Sequence, residues 1–311
     1  MTERVHRPRL ATAWFGGLTA VTWVLIFFGA AVRANGAGLA CPDWPLCFGE
    51  LIPTFDFGVV LEWGHRALAS AVSLLFVTGL VLAWRRADTR RATWVLGWVG
   101  LVLLFSQVVM GGLTVLELLA SWTVTAHLIL GNAFGATALL LTLALWSHGR
   151  PRPTAPLSST LRGLAWATCG LLVLQLLIGG LVASTYAGLA CTAWPSCQGG
   201  AWFPTLSGAV GLQVVHRLVA YGLVVAWLAF AVACRNDAHL RRYATGGAVL
   251  VLLQAALGVA NVLLALPVEV TVAHSAGAAA LVLWTTATLR AVSLRRPAQA
   301  QPPFSVAEAV R

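Results

Sequence analysis

Eight long apolar stretches constrain this chain more than any other feature of its sequence. A transmembrane helix needs about 20 mostly apolar residues. A chain that is 59% hydrophobic and only 10% charged lacks the polar surface of a water-soluble globule of 311 residues. The sequence therefore predicts an all-α integral membrane protein whose eight helices cross the lipid bilayer and whose termini share one side. The predicted spans are 12–32, 60–84, 93–116, 122–146, 161–183, 211–234, 242–265 and 270–292.

The positive charge is sorted by side of the membrane and is not gathered into a patch. All 20 basic residues are arginines, and all but Arg33, Arg66 and Arg217 fall on the side that holds the termini. The positive-inside rule makes that side the cytoplasm. The net charge of +10 therefore does not indicate a nucleic-acid partner. We expect a multi-pass protein of a bacterial-type plasma membrane, with both termini cytoplasmic and a first helix that is retained.

The second half of the chain repeats the first. Residues 37–41 (AGLAC) recur as residues 187–191, and His65-Arg66 recurs as His216-Arg217. Because the repeat spans four helices, an even number, both halves keep the same orientation in the membrane. The sequence thus predicts two tandem four-helix bundles, the architecture in which facing helices build cofactor sites.

These repeats set the predicted domain boundaries. The proline-rich stretch 148–160 is typical of a linker, here on the cytoplasmic side. The proline- and alanine-rich residues 295–311 are predicted to form a disordered cytoplasmic tail. The two bundles are then residues 1–147 and 161–294.

One histidine lies in each even-numbered helix, at a similar depth below the outer face. An isolated intramembrane histidine is often only packed or hydrogen-bonded, but four at repeat-equivalent positions offer two imidazoles per bundle. That is what a six-coordinate haem iron requires. No cysteine or carboxylate cluster accompanies them, which argues against tetrahedral zinc or a di-iron site. The four histidines are His65, His127, His216 and His274.

The odd-numbered helices carry a second repeated pattern, a glutamine followed four residues later by a glycine. We interpret the glycines as positions of close helix packing, with room for a flat ligand as the alternative, and the glutamines as interhelical hydrogen-bond donors. Helix one has leucine in place of glutamine. The pairs are Gln107 with Gly111, Gln175 with Gly179, Gln254 with Gly258, and Leu25 with Gly29.

The two halves differ next to the even-helix histidines. Glu62 precedes His65 by three residues, whereas Gln213 stands at that place before His216. A three-residue step puts both side chains on one helix face, and a carboxylate within the membrane indicates function. The alternative is an interfacial acid near the helix start. The difference favours a reactive haem site in the first half and an electron-transfer or structural site in the second.

Two further pairs of residues are repeated on the outer side. Arg66 and Arg217 directly follow histidines and are suited to bind haem propionates, with interfacial snorkelling as the alternative. The Cys-x5-Cys pairs Cys41–Cys47 and Cys191–Cys197 lie where an oxidising compartment permits disulfides. We expect a structural role for the second cysteine pair and leave the first open between a structural and a redox role.

Taken together, these motifs resemble the haem A synthase family over essentially the whole chain. The resemblance rests on residues 62–66 (EWGHR), on the loop 41–47 (CPDWPLC) and on the repeated histidines. It implies an enzyme that oxidises the C8 methyl group of haem O to the formyl group of haem A, the cofactor of terminal cytochrome oxidases. It also implies haem O synthase and cytochrome oxidase assembly factors as partners.

The resemblance further implies a role for each half. His65 and His127 would hold the substrate haem O, and Glu62 would be the catalytic residue. His216 and His274 would ligate the iron of a resident haem b. Two other classes stay open on the residues alone, namely a diaheme electron carrier of the cytochrome b type and a haem transporter or chaperone. The unmatched Glu62 favours the enzyme over both.

Overall fold

The fold is a bundle of eight long helices, seen in a computed structural model that describes residues 8–150, 153 and 155–295. All eight predicted spans are confirmed. The largest difference is at the third helix, which begins at residue 87, earlier than the predicted 93. The helices are α1 (Arg9–Ala34), α2 (Phe57–Trp84), α3 (Ala87–Leu116), α4 (Ser121–Ser147), α5 (Ser159–Ser184), α6 (Gly208–Ala233), α7 (Leu240–Leu263) and α8 (Val268–Ser293).

Each of these eight helices is long and apolar enough to cross a membrane. Large apolar side chains cover the outside of the bundle, and Leu74, Val95 and Phe105 are each more than 70% exposed. Water would penalise such a surface, whereas lipid tails solvate it. The protein is therefore a multi-pass membrane protein. We call the side of the Cys41 and Cys191 loops the cysteine side and the opposite side the arginine side.

The helices form two closed four-helix rings. In the first ring α1 contacts α2 and α4, and α3 contacts α2 and α4; the second ring repeats this arrangement with α5 to α8. The rings meet where α1 packs on α8 and where α4 packs on α5 and α8. Two hydrogen bonds cross this interface, from the Trp23 indole to the Ala276 carbonyl at 3.0 Å and between the Thr125 and Ser184 hydroxyls at 3.1 Å. The predicted tandem arrangement is confirmed.

The closely packed core of each ring lies toward the arginine side. In the first ring Phe76 packs edge-on against Phe15 and Phe134, and in the second Trp227 packs edge-on against Phe230. All five rings are buried. Helix association inside a bilayer depends on such packing because lipid is as apolar as the side chains. The cysteine half of each ring is left for polar residues.

The segment between the rings is anchored. It ends at Ser158, whose hydroxyl accepts a hydrogen bond from the Leu161 amide and caps α5, two residues before the predicted end at 160. Leu157 is buried in the core of the second ring. Residues 151, 152 and 154 of the predicted linker lie outside the described residues.

The described chain ends at Arg295, the first residue of the predicted tail. Its guanidinium is buried, pairs with Asp237 at 3.1 Å and donates to the carbonyls of Ala155 and Pro156. Arg295 therefore ties the inter-ring segment to the α6–α7 loop and belongs to the folded domain. The rest of the predicted tail, 296–311, lies outside the described residues.

Candidate functional site

The four predicted histidines lie in the cysteine half of the two rings. Each is six or eight residues from the start of its helix, a depth of about 9 to 12 Å at the rise of an α-helix. Asp56 sets the start of α2 because its carboxylate caps the helix by accepting a hydrogen bond from the Val59 amide at 2.8 Å. The predicted common depth is confirmed.

Within each ring the two histidines come from helices that are diagonal to each other. Helix α2 packs on α1 and α3 and faces α4 across the ring, and α6 faces α8 in the same way. His65 and His127 are close enough to interact electrostatically, as are His216 and His274. The two diagonal helices of each ring thus each carry one imidazole at a similar depth, a placement that suits the two axial ligands of one haem.

A glycine of the neighbouring odd-numbered helix faces each histidine. A methyl group added at any of these glycines would meet the Cε1 atom of the imidazole at 2.9 to 3.2 Å, which is too close for ordinary packing. The absence of a side chain therefore gives each imidazole its place. The pairs are Gly29 with His65, Gly111 with His127, Gly179 with His216, and Gly258 with His274. This confirms the glycines as positions of close approach and identifies the histidines as what approaches.

The predicted glutamines hydrogen-bond to the histidines across the helix interfaces. The Gln107 amide nitrogen lies 3.3 Å from Nε2 of His127, and the Gln175 amide nitrogen lies 3.1 Å from Nδ1 of His216. In the third pair the Gln254 amide nitrogen lies 3.2 Å from Nδ1 of His274 and also donates to the His274 backbone carbonyl at 2.9 Å. The interhelical hydrogen bonds are thereby confirmed.

Glu62 is buried and bound on both carboxylate oxygens. One oxygen accepts a hydrogen bond from the Cys41 backbone amide at 2.8 Å, and the other pairs with the Arg66 guanidinium at 2.5 Å. These bonds give both oxygens a partner away from water. Glu62 therefore sits one helical turn from His65 and also touches the cysteine loop.

Gln213 makes a different contact at the matching place in the second ring. Its amide nitrogen donates to the Gly188 carbonyl at 3.0 Å, while its amide oxygen is buried without a partner. Glutamine is uncharged, so Gln213 cannot form an ion pair with Arg217 as Glu62 does with Arg66. The predicted asymmetry between the halves therefore extends to the contacts of the two side chains.

Arg66 and Arg217 each donate hydrogen bonds to backbone carbonyls in the cysteine loop of their own half. Arg66 donates to the carbonyls of Asp43 at 2.8 Å, Leu46 at 2.7 Å and Cys41 at 3.3 Å. Such a fork of donors suits the planar guanidinium and not a lysine ammonium. The sequence analysis missed this role, although each arginine recurs together with a Cys-x5-Cys loop. Propionate binding by the two arginines stays a prediction.

The second arginine repeats these bonds almost atom for atom. Arg217 donates to the carbonyls of Ala193 at 2.9 Å, Ser196 at 3.1 Å and Cys191 at 3.1 Å. Because residues 193, 196 and 191 are the repeat equivalents of 43, 46 and 41, the loops are held identically.

Both predicted disulfides are formed. Cys41 bonds to Cys47 and Cys191 to Cys197, and all four residues are buried. In the first loop the Asp43 carboxylate also accepts hydrogen bonds from the Phe48 and Gly49 amides at 2.7 and 2.8 Å. The bond from Gly49 is the main reason that the pKa of Asp43 lies below its ordinary value. The roles of the disulfides, structural or redox, stay predictions.

The donor set fits a haem iron better than a bare metal ion. Throughout the described ranges no three histidine, cysteine, aspartate or glutamate side chains lie close enough together to hold an ion. Two imidazoles per ring, backed by glycines and flanked by apolar helices, match the axial ligands of a flat macrocycle. The buried and unpartnered Nδ1 atoms of His65 and His127 are polar groups that need a further partner.

Comparison with known proteins agrees with this geometry. The chain is 31% identical to the haem A synthase of Caulobacter vibrioides, over 94% of this chain and 98% of that protein. It is 31% identical to the haem A synthase of Shewanella oneidensis (87% and 93% covered) and 30% identical to that of Halalkalibacterium halodurans (84% and 90% covered). The COX15-CtaA family profile, described as cytochrome oxidase assembly protein, matches residues 12–57 and 54–286. This chain belongs to that cytochrome oxidase assembly protein family.

Proposed function

We propose that this protein is a haem A synthase, an oxidoreductase that converts the C8 methyl group of haem O to the formyl group of haem A. The observation that carries the proposal is a pair of facing histidines in each of two repeated rings, with a buried carboxylate beside only one pair. Full-length similarity to proteins named haem A synthase supports it.

The first ring is the proposed substrate site. His65 and His127 would hold the iron of haem O, because they lie at similar depth on diagonal helices of one ring and each is backed by a glycine. Glu62 lies on the same face of α2 as His65 and one turn before it. Glu62 is the only acidic side chain of α2.

The second ring is the proposed site of a resident haem b. His216 and His274 would be its axial ligands, and their contacts with Gln175 and Gln254 would fix the orientation of both imidazoles. When bound, haem b would supply one-electron transfer between the substrate site and an acceptor. Gln213 stands where the first ring has a carboxylate, so α6 places no acid one turn before His216.

The reaction gives Glu62 a defined task. Oxidation of a methyl group to an aldehyde withdraws electrons from that carbon in successive steps and releases protons. A carboxylate held in a low-dielectric interior accepts such protons or stabilises developing positive charge. Arg66 and the Cys41 amide hold the Glu62 carboxyl group in place.

The setting of the enzyme follows from its charge distribution. We infer that the arginine side is cytoplasmic and that the host membrane is a bacterial-type plasma membrane. The disulfide loops then face the oxidising exterior. Haem O synthase and cytochrome oxidase assembly factors are the proposed partners, since one makes the substrate and the others use the product.

The test is identification of pigments. Membranes from cells that co-express the chain with a haem O source are extracted, and the haems are separated and identified by mass. Haem A should appear only when the chain is present, and a His65→Ala, His127→Ala variant should yield haem O alone. Bound haem without any haem A would instead support the diaheme electron carrier.

A further inference from the structure

One histidine of the four has no glutamine. We propose that His65 is the exchangeable ligand of the first-ring haem, and that Leu25, standing where the other three histidines have a glutamine, makes it so. The inference rests on the proposed function in one respect, since it takes the facing histidines as haem ligands.

The three glutamines share one unusual feature. Each amide nitrogen lies 3.1 to 3.3 Å from an imidazole nitrogen, while each amide oxygen is buried without any hydrogen-bond partner. A buried carbonyl oxygen without a donor costs free energy. The recurrence of this condition next to imidazoles of both rings indicates that a donor is supplied when the site is loaded. The residues are Gln107, Gln175 and Gln254.

An imidazole bound to iron supplies that donor. Iron occupies one ring nitrogen, so the other nitrogen carries the proton. For Gln107 and Gln175, a half-turn of the amide exchanges its nitrogen and oxygen, and the oxygen then accepts that N–H. This bond orients the imidazole and makes it a stronger ligand, as outer hydrogen-bond partners do at other metal sites. Gln254 is held in its present orientation because its nitrogen also donates to the His274 backbone carbonyl at 2.9 Å. The glutamines are positioning residues that act through the histidines.

His65 lacks this support. Leu25 stands four residues before Gly29, as each glutamine stands four before its glycine, and it packs on the apolar core of the first ring. The Phe28 ring meets His65 edge-on at 6.0 Å, and Nδ1 of His65 is buried without a partner. Neither neighbour from α1 accepts a hydrogen bond through its side chain, so the imidazole is held by packing alone.

The missing glutamine at His65 fits the different roles proposed for the two haems. A haem that is converted has to enter and leave, so both of its axial bonds must break in every cycle, and the more weakly held imidazole dissociates first. A resident haem is retained, so both of its bonds should be strong. The second ring has a glutamine for each histidine, and the first ring has one for His127 only.

Carbon monoxide measures ligand lability directly, because it binds ferrous haem only where an axial ligand gives way. We would titrate the dithionite-reduced, haem-loaded protein with carbon monoxide. In the wild type, carbon monoxide should bind one fraction of the haem, namely that of the first ring. Leu25→Gln should weaken carbon monoxide binding to that fraction about tenfold, the usual size of an outer-partner effect. Leu25→Met, of similar volume but without an acceptor, should behave as the wild type.

The reverse change is the matched test in the second ring. Gln175→Leu, at the repeat equivalent of Leu25, should create a second fraction that binds carbon monoxide, with affinity raised about tenfold over the same haem in the wild type. Equal carbon monoxide binding in wild type and Leu25→Gln would overturn the proposal. So would weakened binding in Leu25→Met as strong as in Leu25→Gln, because packing would then be the cause.

Two further measurements keep the test decisive. If Leu25→Gln purifies without haem, Gln107→Leu replaces it and should strengthen carbon monoxide binding in the first ring; no change there overturns the proposal. Haem A is quantified in the same membranes. If haem A is produced but carbon monoxide binding does not change in Leu25→Gln, the ligand inference is refuted and the enzyme function is not. If carbon monoxide binding changes as expected but no haem A is produced, the enzyme function is refuted and the ligand inference is not.

Discussion

The first and second rings have an arginine at the same place, and it binds the cysteine loop in both. One turn before this arginine the rings differ, with Glu62 in the first and Gln213 in the second. Arg66 and Arg217 each bind three carbonyls of a disulfide loop, but only Arg66 has an acid, Glu62, to pair with. What the rings share is therefore scaffold, and what differs is concentrated around His65. In the proposed function this difference separates a site of chemistry in the first ring from a site of haem retention in the second.

The largest expected effect is loss of a haem from one ring only. His216→Ala should remove the haem b spectrum of the purified protein while haem remains in the first ring, because an iron with one axial imidazole is held far more weakly. Absorption spectra and haem extraction measure this. His148→Ala, at the arginine-side end of α4, is the control and should keep both haems. An unchanged spectrum in His216→Ala would refute the assigned ligand.

Glu62→Gln makes the first ring resemble the second. Haem A output should fall about a hundredfold, at the low end for removal of a general base, while haem content stays near that of the wild type. The reciprocal Gln213→Glu should add no activity. Extracted haem O and haem A are quantified in both variants. Normal haem A output in Glu62→Gln would contradict the catalytic role.

Arginine-to-lysine variants separate scaffold from chemistry. Arg66→Lys and Arg217→Lys should each destabilise the protein by roughly 1.5 to 3 kcal/mol, because an ammonium cannot replace a fork that binds three carbonyls. Only Arg66→Lys should also lower haem A output, since it loosens Glu62. Thermal unfolding in detergent and pigment extraction measure the two effects. Equal loss of activity in both variants would remove the distinction between the rings.

The smallest effect concerns the first cysteine loop in acid. The folded pKa of Asp43 is depressed, so its stabilisation of the loop is fully present above about pH 4 and is lost as the pH falls through the folded value. Amide hydrogen exchange at Phe48 and Gly49 should then accelerate beyond the general trend. The second loop has Ala193 at the matching place and serves as the control; equal acceleration there would exclude Asp43 as the cause.

The helices and their pairing into two halves were predictable because the signals are local or repeated. A segment that crosses a bilayer must satisfy its backbone within itself, so apolar length alone predicts a helix. The paired cysteines and the single histidine in each even helix are visible by comparing the chain with itself. The glutamines were also predicted as interhelical donors, though their histidine partners were not.

The destination of the arginines was not predictable in the same way. Propionate binding and snorkelling were the alternatives considered, and neither includes the carbonyls of the cysteine loop. Those carbonyls belong to residues 20 to 25 positions away from Arg66, in a loop without regular structure. The recurrence of Cys-x5-Cys with His-Arg in both halves was the available signal.

The sequence by itself determined that this chain spans a membrane eight times, that its halves are repeats, and that each half carries two histidines at one depth. Only the tertiary structure decided that Glu62 joins Arg66 to the cysteine loop and that glutamines meet three histidines while His65 meets apolar side chains. The physical reason is direction. Hydropathy and spacing specify how far along a helix a residue lies, but a hydrogen bond depends on which neighbouring segment its atoms face, and that is set when the helices pack.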